Sequence, residues 1–113
     1  MKGFDISLWE KIKDEEFAER DRKRKKTLSD TINSLKRYFS SKRVKRVFLT
    51  GSILIEGGFY DFSDIDIAVE GLDEDYFPML SELEALLDRD VDLIEIEEYP
   101  FKEEIEKRGM RIK

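Results

Sequence analysis

The sequence predicts a small α/β domain, a short sheet flanked by helices, with a helical extension at its N-terminus. Three observations predict it. Residues 28–39 carry apolar side chains at helical spacing, three later runs are short and rich in Val, Ile, Leu and Phe, and a second helical stripe lies between the last two of those runs. No internal repeat and no linker composition interrupts the chain. One domain is therefore expected, with residues 1–43 as the helical extension and 44–113 as the core.

The elements follow in order. Ser7-Leu8-Trp9-Glu10 has the pattern of a capping box, with Ser7 as N-cap and Glu10 reaching back to it. A helix is expected to follow. Its apolar face thins after Ile12 and turns highly charged from Glu19 to Lys26. Leu28, Ile32, Leu35 and Phe39 then form an amphipathic stripe that Ser40-Ser41 closes. The spacing allows one long helix or two with a break near Thr27. Val44 to Thr50 reads as the first strand, and Gly51-Ser52 turns the chain, with a short helix possible over Ile53 to Ile55. Gly57-Gly58 and the residues to Phe62 read as a loop.

Ser63 to Glu70 is the second expected strand. Its apolar residues alternate, so at least one face is covered. Asp73 or Asp75 can cap the next helix, with Met79, Leu80, Leu83, Leu86 and Leu87 on its buried face and Pro78 best suited to its first turn. Val91 to Ile96 is a third strand. Tyr99-Pro100 opens a last helix that runs to Arg108 and ends at Gly109.

Composition narrows the chemistry. The 113 residues include no cysteine and no histidine. That excludes a disulfide framework, thiolate or imidazole metal sites, and catalysis by an imidazole base. Carboxylates, lysines, hydroxyls or a bound metal must carry any reaction. Charge is split unevenly: residues 1–50 hold 15 Lys and Arg against 8 Asp and Glu, and residues 51–113 hold 6 against 19. An acidic half of this kind repels nucleotides unless metal ions neutralise part of it. No apolar stretch approaches membrane-spanning length and no signal peptide is visible, so a cytoplasmic location is expected.

The candidate site lies around Gly51-Ser52 and Ser63-Asp64-Ile65-Asp66. On a strand, Asp64 and Asp66 point to one face and Ile65, Ile67 and Val69 to the other. Two carboxylates so close need a positive partner, and their oxygen donors suit Mg2+. Gly51 leaves room for a phosphate against the backbone, and Ser52 adds a hydroxyl donor. A third acid on the next strand completes the set. Asp92 is favoured, and Asp90 or Glu95 serves if the register differs. Three carboxylates, two Mg2+ ions and a phosphate-cradling turn are the parts of metal-assisted nucleotidyl transfer, with Asp92 as proton acceptor.

These residues have plainer readings too. Gly51-Ser52 alone is an ordinary strand-to-helix turn, and D-x-D alone could be a solvated edge. The run Arg22 to Lys26 could contact nucleic acid, but the spacing of Glu19 with Lys23 and of Asp21 with Lys25 favours a solvated helix face.

The stretch from Phe48 to Val69, G-S followed by S-D-I-D-I-A-V, resembles the nucleotidyltransferase superfamily that includes DNA polymerase beta, and its short length resembles the minimal nucleotidyltransferases. The resemblance implies a small mixed sheet flanked by helices. It implies that Gly51, Ser52 and Ser63 bind nucleotide and that Asp64, Asp66 and Asp92 hold the metals. It also implies ATP as substrate and a HEPN-domain toxin as partner, which receives AMP on a tyrosine in an antitoxin role. Many members carry an arginine where this chain has Glu56, so either phosphate binding draws on other basic groups or nucleotide affinity is reduced. A module that neutralises its partner by contact alone, and a nucleic-acid binder using the basic helix, are the alternatives.

Overall fold

The computed structural model describes residues 5–113. Its first element, α1, runs unbroken from Ile6 to Phe39, 34 residues. No proline or glycine interrupts it, which is why the charged middle propagates as one helix rather than two. It starts earlier than the Ser7 capping box predicts. Asp5 is the N-cap, and its carboxylate accepts the Leu8 N–H at 3.1 Å. Ser7 lies inside the first turn, because an aspartate at a cap satisfies the same orphan donors two residues upstream.

Four strands form one sheet: β1 (Arg46–Thr50), β2 (Ile65–Glu70), β3 (Val91–Glu95) and β4 (Met110–Arg111), in the order β3-β2-β1-β4. A 3-10 turn, Gly51–Leu54, follows β1, where the sequence left a short helix open. β1 pairs antiparallel with β2 and with β4, and β2 pairs parallel with β3. The parallel pair needs a crossover, which α2 (Tyr76–Leu87) supplies. α3 (Lys102–Arg108) follows a second 3-10 turn at Ile96–Glu98. β4 was not foreseen: two exposed residues carry no alternation to read.

Strand alternation divides the core between the two faces. Val47, Leu49, Ile65, Ile67, Val69, Val91 and Leu93 face α1 and α2, where Leu35, Phe39, Met79 and Leu83 are fully or almost fully buried. Phe48 and Ala68 face the other way and pack with Ile96 and Ile105 of the α3 layer. Burying one such side chain contributes roughly 1.5–3 kcal/mol. Pro78 sits in the first turn of α2, as its missing N–H requires. Leu86, expected on the buried face of α2, is exposed, because the buried stripe narrows to Met79 and Leu83.

Candidate active site

The ends of β1, β2 and β3 meet at one edge of the sheet. Thr50, the last residue of β1, is opposite Asp66, and Asp66 is opposite Asp92 on β3. Opposed residues share a face, so these three polar side chains lie in a row on the α3 side, beyond the apolar patch of Phe48, Ala68 and Ile96. The strand register decides among the candidate third acids. Glu95 is opposite Val69, on the face toward α1 and α2, and Asp90 precedes the strand with its carbonyl accepting the Ile65 N–H at 3.0 Å. Asp92 is the acid on the face of Asp66.

Asp64 differs from the expectation of two acids on one strand. β2 starts at Ile65, so Asp64 belongs to the loop before it. A turn builds that position. The Tyr60 N–H donates to Ser63 Oγ at 2.9 Å, and the Ser63 N–H returns to the Tyr60 carbonyl at 3.0 Å. Arg89 braces the turn from the α2–β3 connection: its Nη1 donates to the carbonyls of Tyr60, Asp61 and Ser63, and its guanidinium lies 4.6 Å from the Phe59 ring centre. Ser63 thus has a structural task besides any contact with nucleotide. Asp64 is exposed at the end of this braced turn.

Gly51 turns the chain out of β1 with φ +83°, a conformation that favours glycine. A Cβ on Gly51 would stand 2.0 Å from Asp66 Oδ2. The Asp66 carboxylate therefore fills the space over the turn that a side chain would occupy. Its pKa is raised to about 6, first by burial and then by the charges of Asp92 and Asp64. Asp92 and Asp64 are thus both electrostatically within reach of Asp66. Among the described residues, no three acidic side chains are gathered tightly enough to hold a metal ion as they stand. The donor set is all carboxylate oxygen, the chemistry of Mg2+ rather than of zinc, and a cation would relieve the charge that raises Asp66.

A cleft of about 430 Å³ opens over this edge, lined by Thr50, Gly51, Asp66, Asp92, Tyr99 and Arg108 among others. Sequence reasoning passed over Thr50, Tyr99 and Arg108. Arg108 carried one usable signal, as one of six basic residues in the acidic half. Ser52 lies in the 3-10 turn, half-buried, and its hydroxyl has no hydrogen-bond partner among the described residues. Glu56 lines a different groove, with Arg22 and Lys25 of α1.

The basic stretch of α1 is only partly solvated. Asp21 and Arg24 are buried and paired at 2.7 Å. Arg24 Nη1 donates to the Ile53 carbonyl at 3.0 Å, and the Gly57 N–H donates to Asp21 at 2.9 Å. Arg20 Nε donates to the Gly57 carbonyl at 2.9 Å. α1 therefore holds the segment that follows the Gly51 turn. The expected pair of Asp21 with Lys25 is present at 3.7 Å, while Glu19 bonds Arg22 rather than Lys23.

Comparisons with known proteins agree with this architecture. The family described as Polymerase beta, Nucleotidyltransferase matches residues 33–113. No curated protein matches the sequence. Among solved structures, a chain described as a toxin-antitoxin with AMP-PNP is 24% identical, with a TM-score of 0.57 over 73% of this chain and 72% of that one. A chain of the toxin-antitoxin MntA-HepT is 21% identical, with a TM-score of 0.53 over 74% of this chain and 69% of that one. A mutant of that toxin-antitoxin is 21% identical, with a TM-score of 0.55 over 73% and 71%. At these identities the likeness establishes a common fold.

Proposed function

Because the chain belongs to the polymerase beta nucleotidyltransferase family, we propose that it transfers AMP from ATP to a hydroxyl of a protein partner. The partner in this reading is a HEPN-domain toxin and the acceptor one of its tyrosines, which makes the chain an antitoxin. Structures of like fold described as toxin-antitoxin pairs, one with AMP-PNP, support this direction. The observation that carries the reading is Asp66 flanked by Gly51 on one side and Asp92 on the other.

Each residue has a task in this scheme. Asp64, Asp66 and Asp92 would hold Mg2+, two ions in full occupancy. The metal supplies charge that stabilises the leaving pyrophosphate and lowers the pKa of the attacking hydroxyl. Gly51 lets the phosphates approach the backbone, and the Ser52 hydroxyl donates to a phosphate oxygen. Asp92, exposed on the cleft face of β3, accepts the proton of the acceptor hydroxyl on a carboxylate oxygen. Arg108 offsets triphosphate charge in the role that an arginine at position 56 would otherwise fill, and the Tyr99 ring offers a face to the base.

The test is transfer of label from the α-phosphate of ATP, with Mg2+, to a HEPN protein encoded beside this chain. The expected result is a labelled toxin, and a loss of about a hundredfold or more in Asp66→Asn. No transfer by a folded, Mg2+-loaded wild-type chain would overturn the reading. Toxin neutralisation that survives Asp64→Asn with Asp66→Asn would replace it with contact inhibition.

A further inference from the structure

Two candidate site residues, Ser52 and Asp64, stand at opposite ends of the connection between β1 and β2, which lies outside the strands. Arg89 braces the end that carries Asp64. The end that carries Ser52 is held by α1, and by a part of α1 that precedes the family match at residue 33. One face of the helix does this. Phe17, Arg20, Asp21 and Arg24 share an arc of about 100° with Leu28, Thr31, Leu35 and Phe39. From Leu28 to Phe39 that face packs on the hydrophobic core. Before Leu28 it meets the connection instead. The Phe17 ring fills the space beside Gly57, 2.0 Å from where a Cβ would stand. Gly57 is bonded through both of its backbone groups, its N–H to Asp21 and its carbonyl to Arg20 Nε. The Arg20 guanidinium also lies 4.5 Å from the centre of the Tyr60 ring.

Arg24 reaches closest to the candidate phosphate-binding turn. Its Nε donates to Asp21 and its Nη1 to the Ile53 carbonyl, so one buried guanidinium joins the helix to the turn. Ile53 directly follows Ser52, and the Ile53 side chain is fully buried. The Ser52 hydroxyl has no partner of its own among the described residues, so the backbone alone sets its position. The turn that carries it is four residues long, and Thr50 gives it no side-chain cap. β1 fixes one end of this turn, and the Arg24 bond fixes the other.

We propose that Arg24 is a positioning residue for ATP, acting through the Ile53 carbonyl on the Ser52 hydroxyl, while Asp21 and Arg20 hold the connection at Gly57. The inference rests on the catalytic reading above. It makes a helix segment outside the family match a working support of the active site.

Calorimetric titration of the full chain with ATP and Mg2+ tests it. Asp21→Leu with Arg24→Met removes both charges from the buried site together, so the fold is expected to persist. This double variant is expected to bind ATP about tenfold or more weakly. Arg24→Lys keeps a charge for Asp21 but lacks the planar fork, and is expected to lose part of the same affinity. It decides the case if the double variant does not fold. A cycle with Ser52→Ala separates positioning from general loosening. In the parent, Ser52→Ala is expected to weaken ATP binding several-fold. In the double variant it is expected to change little, because the hydroxyl is already out of place. ATP affinity equal to the parent's in the folded variants overturns the inference, as do Ser52 and Arg24 losses that simply add. A parent chain that binds no ATP overturns the catalytic reading and this inference together. A parent that binds ATP but transfers no label overturns the catalytic reading alone.

Discussion

The Asp66 carboxylate occupies the place where a side chain on residue 51 would be, with Oδ2 2.0 Å from an ideal Cβ on Gly51. Gly51 opens the turn that follows β1, with φ +83°, and Asp66 lies on the neighbouring strand β2. Gly51→Ala therefore meets two obstacles. The left-handed backbone costs about 1–2 kcal/mol for an alanine, and the methyl group must displace the acid. Urea denaturation is expected to show a loss of about 2 kcal/mol or more, with nucleotide binding lost beyond what the stability change explains. An alanine variant as stable and as active as the parent would contradict the geometry.

Asp66 also makes metal-free stability depend on pH. Its pKa is raised to about 6 by burial and by Asp92 and Asp64, so the folded state binds its proton more tightly than the unfolded chain does. The resulting stability is fully present below the unfolded value near pH 4 and is lost as pH rises through about 6. Asp66→Asn removes the charge. After discounting for the exposed half of the side chain, it is expected to stabilise the metal-free protein by about 1 kcal/mol at pH 8 and not at pH 4. Denaturation curves at the two pH values check this, and an equal effect at both would refute it.

The buried Asp21–Arg24 pair behaves in the opposite sense. The Arg24 hydrogen bond, then the Gly57 N–H, hold Asp21 down to about 2. Its contribution is present above the usual carboxylate value and is lost only as pH falls through about 2. Replacing Arg24 by Met strands a buried carboxylate. The single variant is expected to be less stable than the double variant Arg24→Met with Asp21→Leu, because the second change removes the orphaned charge. A double-mutant cycle by thermal unfolding measures the order, and the reverse order would show that the pair is not buried as described.

Arg89 is expected to act on the site through the loop. One Nη1 serves three carbonyls of residues 60, 61 and 63, and its loss removes about 1–2 kcal/mol of local stability. In Arg89→Ala, amide exchange at 60–64 should rise while exchange in β2 and β3 stays unchanged. Metal affinity should fall with Asp64 less well placed. Unchanged exchange across the loop would count against this bracing role.

Much of the fold was legible in the sequence because it rests on local patterns. The alternation around Ile65 to Val69 and the stripe from Leu28 to Phe39 marked a strand and a helix that the structure contains. The start of α1 and the face of Leu86 were misread for related reasons. Two cap residues competed within three positions, and a stripe of leucines exceeded the surface available to cover it. β4 left no signal because its two residues pair through backbone alone. Arg24 and Asp21 were read as surface charges, since nothing local distinguishes a lysine-rich face from one arginine turned inward toward the Ile53 carbonyl.

The sequence by itself determined the kinds of groups available, three candidate acids, a glycine turn and no imidazole or thiol, and the periodicities that build the helices and strands. Only the tertiary structure decided which of those groups meet. The parallel register of β2 with β3 sets Asp92, and not Glu95, beside Asp66, and the antiparallel register of β1 brings the Gly51 turn against the same carboxylate. Register is a long-range property: a shift of one residue reverses every side chain, and no local pattern in either strand records its partner.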